Sequence, residues 1–128
     1  MPLPVDAAFI TRAEDQLRTQ FPAEYRQYLL HSNGGKVDLG DTGDDAWLLF
    51  PVGDDSDEQS LKRTRDNVVR HTKRERGQSH FPCDAVAIGE DGSGDLLLLI
   101  PAGDKWELAT WDHETGDTSP VPRDIFGN

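Results

Sequence analysis

Cysteine is almost absent from this chain of 128 residues, Cys83 being the only one. No disulfide can close within it, so nothing in it calls for an oxidising compartment. Long apolar runs are also missing, and none approaches the ~18 residues a membrane span needs. The first residues, "MPLPVDAAFITRAEDQ", carry neither a basic n-region nor an apolar h-region. A cytoplasmic location is therefore the expectation. Positive charge is scarce, with 13 Lys and Arg against 24 Asp and Glu and a formal net charge of -11. Such a field repels nucleic acid and anionic membranes and draws in basic proteins. Neither nucleic acid nor membrane is expected as a partner, whereas a cationic protein is.

The length suits a single domain, 1-128, able to bury a core unaided. From Pro4 to His31 the apolar positions Phe9, Ala13, Leu17, Phe21, Tyr25, Tyr28 and Leu29 recur every three or four residues, as on one helical face. Pro22 lacks an amide donor but suits a first turn, which predicts one helix ending near Gln20 and another beginning at Pro22. "HSNGG" supplies the stop, with Asn33 or Gly34 in the left-handed region. "AWLLFPV", Ala46 to Val52, is expected to be the first strand. From Glu58 to Arg76 there is neither proline nor glycine, with acids ahead and bases at the end, the order that a single helix favours. Then come "DAVAIG", "DLLLLIP" and "KWELATWD", separated by "EDGSG" and "AGD", which predict an antiparallel meander with Leu98 and Trp106 in its core. "HETGD" makes a further turn before a proline-bearing tail. The expected class is α+β: N-terminal helices and a central helix packed on a largely antiparallel sheet with a C-terminal strand meander.

The stretch "AIGEDGSGDLLLLIP" looks at first like a cradle for an anion or a metal. Without a lysine, and leading into a strand instead of a helix N-terminus, it lacks what a phosphate loop needs. Asp91, Ser93 and Asp95 have the alternate spacing that opens a calcium loop, but Leu96 and Ala102 stand where glycine and a bidentate acid belong. A hairpin turn is the better reading. Cys83 follows His80 by three residues beside an acid, not in the electropositive setting of a reactive thiolate. His31, His71, His80 and His113 lack zinc-motif spacing. Pairs such as Glu90 with Asp112 are uninformative among so many acids. No catalytic, cofactor-binding or metal-binding residue is assigned, and the chain is not expected to be an enzyme. Leu61 to Arg76 holds seven of the thirteen bases, Lys62, Arg63, Arg65, Arg70, Lys73, Arg74 and Arg76. It has no aromatic to stack on a base, so it reads as a solvated helix face.

Three segments in order, "FPAEYRQYLLHSNGG", "IGEDGSGDLLLL" and "WELATWDHETGD", resemble the SUKH superfamily, which includes fungal cell-wall-assembly regulators and many bacterial immunity proteins. Pro22, Glu24, Tyr25, Asn33, Gly34 and Gly35 match its proline-started helix and Asn-Gly-Gly stop. Gly89, Asp91, Gly92, Gly94 and Asp95 match its glycine and acid turn, and Trp111, Asp112 and His113 its tryptophan before a polar turn. The resemblance covers roughly residues 9 to 118. It departs at the end, where the family usually adds an amphipathic helix and this chain has little beyond "DIFGN". Such a shortening would leave part of the family's usual surface open.

The resemblance implies an immunity protein that binds and neutralises a cognate bacterial toxin by protein-protein contact, or alternatively an intracellular regulatory interaction module of the cell-wall-assembly type. The charge suits a basic, nuclease-type toxin. Its candidate contacts are the carboxylates flanking the strands: Asp41, Asp44, Asp45, Glu90, Asp91, Asp95, Asp112 and Glu114.

Overall fold

The structure is a computed structural model, and it describes residues 4–38, 46–78, 80–82, 84–103, 105–121 and 126. Helix α1, Ala7–Leu17, starts where the Asp6 carboxylate accepts the Ala8 N–H at 2.9 Å, and it buries Ile10, Ala13 and Leu17 along one face. It stops three residues short of the predicted end, at Arg18, which adopts a left-handed φ of 56° and turns its N–H back on the helix. Helix α2, Ala23–His31, follows Pro22 as predicted and buries Tyr25 and Leu29. The Glu14 carboxylate joins the two helices by accepting the Phe21 N–H and pairing with the Arg26 guanidinium.

The stop after α2 works through two residues of different chemistry. Gly34 has the predicted positive φ, at 106°, and a Cβ there would lie 2.9 Å from the Leu49 carbonyl oxygen. Asn33 keeps an ordinary φ and uses its amide as a strand would, accepting the Val52 N–H at 2.8 Å and donating to the Val52 carbonyl at 3.1 Å.

The sheet has six strands among the described residues, β1 Gly35–Asp38, β2 Ala46–Leu49, β3 Val86–Glu90, β4 Leu96–Ala102, β5 Lys105–Trp111 and β6 Thr118–Pro120, paired in chain order. Every pairing is antiparallel. The class is α+β with a C-terminal meander, as expected. Two strands were not: β1 precedes the predicted first strand, and β6 forms in the proline-bearing tail. Both are short edge strands, and Pro120 is tolerated because an edge needs no outward donor.

Between β2 and β3 the predicted single helix is two, α3 Glu58–Arg63 and α4 Val68–Glu75. The break comes from side chains that compete with the helical ladder. Thr64 Oγ1 accepts the Asp54 N–H at 2.8 Å and donates to the Ser60 carbonyl at 2.9 Å. Asn67 then caps α4 by accepting the Arg70 N–H at 3.0 Å, while its Nδ2 donates to the Thr64 carbonyl. Helix α4 buries Val68, His71 and Thr72 and leaves Arg70, Lys73 and Arg74 exposed. Arg76 departs from that solvated pattern, its guanidinium donating to the carbonyls of Leu17 and Ala85.

Leu96, Leu97, Leu98 and Leu99 are all buried, and since successive strand residues face opposite ways, both faces of the sheet are covered there. Trp106 is only half-buried, unlike the core position expected of it, while Ala109 and Trp111 further along β5 are buried. β3 carries a bulge between Ala87 and Gly89. Beside it the Ala87 N–H donates to Thr72 Oγ1 at 2.9 Å, tying α4 to the sheet. Gly89 has no room for a side chain, since a Cβ would lie 2.8 Å from the Leu48 carbonyl oxygen.

Candidate functional site

Strand register decides which acids meet. Leu96 opens β4 and pairs with Trp111, which closes β5. The β3–β4 turn and the β5–β6 turn therefore stand side by side at one end of the sheet. β1 ends there too, and β2 begins there, through the pair Asp38 and Ala46. Glu90, Asp91, Asp95, Asp112 and Glu114 are brought together; Asp41, Asp44 and Asp45 lie outside the described residues.

Asp91 organises the first turn, its Oδ1 accepting the Ser93 N–H at 2.8 Å and the Ser93 hydroxyl at 2.7 Å. Gly92 and Gly94 take the positive φ values, 92° and 110°, that this geometry needs. Within the stretch that resembled a ligand cradle, residues 91–94 thus form an exposed hairpin turn between two strands. Asp112 does the same in the second turn, its Oδ1 accepting the Glu114 N–H at 2.8 Å. Gly116 closes this turn with a φ of 79°, and its backbone lies against His80 so closely that a Cβ would come within 2.6 Å of the His80 Cβ. Trp111 anchors the same corner from beneath, donating from Nε1 to the His80 carbonyl at 3.2 Å and packing edge-on against Phe81.

Asp95 links the two turns. Its Oδ1 accepts the His113 N–H at 3.2 Å and lies 2.7 Å from His113 Nδ1. The imidazole rests on Gly94, where a Cβ would stand 3.1 Å from Nδ1. The hydrogen bond to Asp95 pushes the His113 pKa above its ordinary value, aided by the negative charges of Asp95, Glu114 and Asp112 and opposed by some desolvation. His113 is the one cationic group that this acidic end can acquire from its own turns, since 90–95 and 112–117 contain no lysine or arginine.

The oxygens of Asp95 and Asp112 and the His113 ring lie within 4.8 Å of one another, a donor set with ligand chemistry that the sequence spacing did not reveal. Its atoms already have turn-closing partners: Asp95 Oδ1 faces His113, and Asp112 Oδ1 holds backbone amides. Glu90 and Glu114 have no such task. Glu114 is 79 % exposed at the side chain, and its carboxylate lies 3.9 Å from His113 Nε2, a loose ion pair.

A family model described as SMI1 / KNR4 family (SUKH-1) matches residues 4–124, almost the whole chain. This chain belongs to that family. The match extends a few residues beyond each end of the resemblance read from the motifs, and the motif residues have structural tasks in this SUKH-1 fold: Asn33 and Gly34 seat the chain after α2 against β2, and Asp91, Asp95 and Asp112 hold the turns. No curated protein matches the chain. Among the described residues no helix is long and apolar enough to cross a membrane.

The contact of His113 with Asp95 and the exposure of Leu48 both escaped the sequence reading. His113 is eighteen positions from Asp95, so only the β4–β5 register joins them. Leu48 lies inside an apolar run that reads as a buried strand, yet it is 45 % exposed.

Proposed function

We propose that this SUKH-1 domain is an immunity protein that neutralises a basic toxin by protein-protein contact, with the acidic end of the sheet meeting the toxin's cationic surface. The observation that carries the reading is the convergence of Glu90, Asp91, Asp95, Asp112 and Glu114 on two neighbouring turns of a chain with net charge -11. A patch of one sign speeds encounter with a partner of the other and disfavours partners of the same sign. Held by rigid strands, these turns present their charge with little ordering left to do on binding. The role is binding and not turnover, because Asp91, Asp95 and Asp112 serve backbone amides and neighbouring side chains and are poor candidates for proton transfer.

The test is co-expression with the product of the adjacent gene, scored by growth. Growth arrest by that product alone, relieved by this chain and accompanied by a stable complex, supports the reading. A non-toxic partner recovered from the native cell would favour the regulatory alternative, and failure to relieve a toxic neighbour without forming a complex counts against immunity.

A further inference from the structure

His71 is the one buried histidine among the described residues, with 3 % of its surface exposed, and the turns of the acidic end make no use of it. It lies on the inner face of α4 with its ring stacked on that of Phe50, the centroids 3.7 Å apart and the planes 2° from parallel. Its two ring nitrogens face side chains of opposite charge. Nδ1 is 3.0 Å from Arg74 Nη2, one turn further along α4, and Nε2 is 2.7 Å from Asp66 Oδ1, in the connection between α3 and α4.

Arginine decides the tautomer. A guanidinium offers donors and no lone pair, so Nδ1 is the acceptor in that contact. The neutral ring therefore carries its hydrogen on Nε2, toward Asp66. That second contact is close but misaligned, since no acceptor satisfies Nε2. In the neutral state the good hydrogen bond of His71 is the one to Arg74, inside its own helix.

A further proton can go only to Nδ1. It would set an imidazolium N–H against a guanidinium N–H, two like charges with no acceptor between them, while the other side of the ring becomes an ion pair with Asp66. Arg74 is the side that yields, because it is 58 % exposed and already donates from Nε to Glu75 Oε2 at 3.2 Å. Burial resists the added charge, and the Asp66 carboxylate favours it. The other elements packed around the ring add little to this contest. Phe50 and Val86 to Gly89 of β3 are uncharged. In α1, Arg12 pairs with Asp55, Glu14 pairs with Arg26 and Asp15 is exposed, while Asp54 accepts the Ser56 N–H and Arg63 donates to Ser60 Oγ.

We propose that His71 is a proton-driven latch between two ties. The neutral ring holds Arg74 within α4; the charged ring releases Arg74 to the surface and binds α4 to the α3–α4 connection through Asp66. The proton comes from water, and the Arg74 hydrogen bond is the one lost. Histidine is the side chain that changes charge in the physiological range, so acidification is the signal. Acid thus turns a guanidinium outward on an anionic chain and engages an exposed carboxylate, whatever partner the acidic end meets.

The test uses the full chain, isotope-labelled at histidine and arginine nitrogens and followed by NMR from about pH 8 to about pH 5. At the alkaline end the His71 ring is expected to show a bare Nδ1 and a protonated Nε2, beside a distinct, slowly exchanging Arg74 side-chain signal. On acidification the charging of His71 and the loss of that Arg74 signal should follow one curve, since one event causes both. Arg74→Met should move the His71 transition to higher pH and Asp66→Asn should move it to lower pH, with circular dichroism confirming that each variant is folded. A proton on Nδ1 at the alkaline end, an Arg74 signal indifferent to the charging of His71, a ring that stays neutral throughout in the folded chain, or a folded Asp66→Asn variant with an unmoved transition would each overturn the latch. The first three outcomes are read on the wild type and stand even where a variant fails to fold.

Discussion

Replacing Thr72 by valine tests how the helical layer holds the strand that leads into the acidic end. Thr72 and Ala87 are both fully buried, and Thr72 Oγ1 accepts the Ala87 N–H at 2.9 Å beside the β3 bulge. Valine keeps the β-branched shape and a similar helix propensity, so neither a large cavity nor a frayed helix confuses the outcome. What changes is that a buried amide loses its acceptor, at a cost of about 1 to 3 kcal/mol. The added methyl gains some apolar burial and pulls the net toward the lower half of that range. For a chain of this length the loss corresponds to a fall in Tm of roughly 4 to 8 °C. The assay is urea and thermal unfolding of the wild type, Thr72→Val and Thr72→Ser, with amide hydrogen exchange at Ala87. Serine retains the acceptor and loses a methyl group, so Thr72→Ser should keep Ala87 protected relative to the global stability, whereas Thr72→Val should not. An unchanged urea slope would show that the unfolded state is not the cause. A valine variant as stable as the wild type, with Ala87 equally protected, would refute the coupling.

Glu90→Lys and Glu114→Lys should slow association with the partner, most strongly at low salt, while changing stability by no more than about 0.5 kcal/mol; an on-rate that ignores both salt and these charges contradicts electrostatic steering. Asp112→Lys is a poorer probe, since it removes the acceptor of the Glu114 N–H and should cost about 0.5 to 2 kcal/mol of stability as well, read from the same unfolding curves. NMR titration should place the His113 pKa above its ordinary value, and Asp95→Asn should bring it down. Because the folded-state value is the raised one, the stabilisation from this contact is present below the unfolded pKa and fades as pH rises through the folded pKa; a His113 that titrates identically in both proteins would deny the contact. Leu98→Ala, at a fully buried position, should cost about 2 to 5 kcal/mol and reduce binding only through unfolding, a result that urea midpoints and complex formation by the residual folded fraction would separate.

The helices, the meander and its turns were legible because each rests on a local signal. Pro22 opens a helix, glycines mark turns, and Leu96 to Ile100 is too apolar for an edge. What escaped depends on partners distant in sequence. The break between α3 and α4 is set by Thr64 reaching Asp54 and by Asn67, and no proline or glycine announces it. β1 is four residues long, and its pairing with β2 stabilises it where its own composition would not. β6 is shorter still and is recruited by the edge of β5. Trp106 looked like core because it is large, but β5 runs out past the covered part of the sheet at that end, where Lys105 and Glu107 are exposed. The acidic site was legible as a list of residues and not as a place: only the pairing of Leu96 with Trp111 shows that its two turns are neighbours.

The same chemistry explains why sequence could not sort those acids by task. Aspartate is favoured in a tight turn because its short carboxylate can accept an amide two residues ahead, and an aspartate-rich turn is anionic whether or not anything binds it. Asp91, Asp95 and Asp112 follow that logic, each with an oxygen engaged by its own or the neighbouring turn. Glutamate is a poorer fit for this task, because its extra methylene carries the carboxylate past the nearby amides. Glu90 and Glu114 therefore stand at the same end of the sheet without a turn-holding role, as does exposed Leu48, the cross-strand neighbour of Glu90. Side chains that the fold does not need are the ones through which a partner can be selected. On this argument the aspartates fix the shape of the acidic end and contribute to its field, while Glu90 and Glu114 are the carboxylates through which the proposed contact is to be tested.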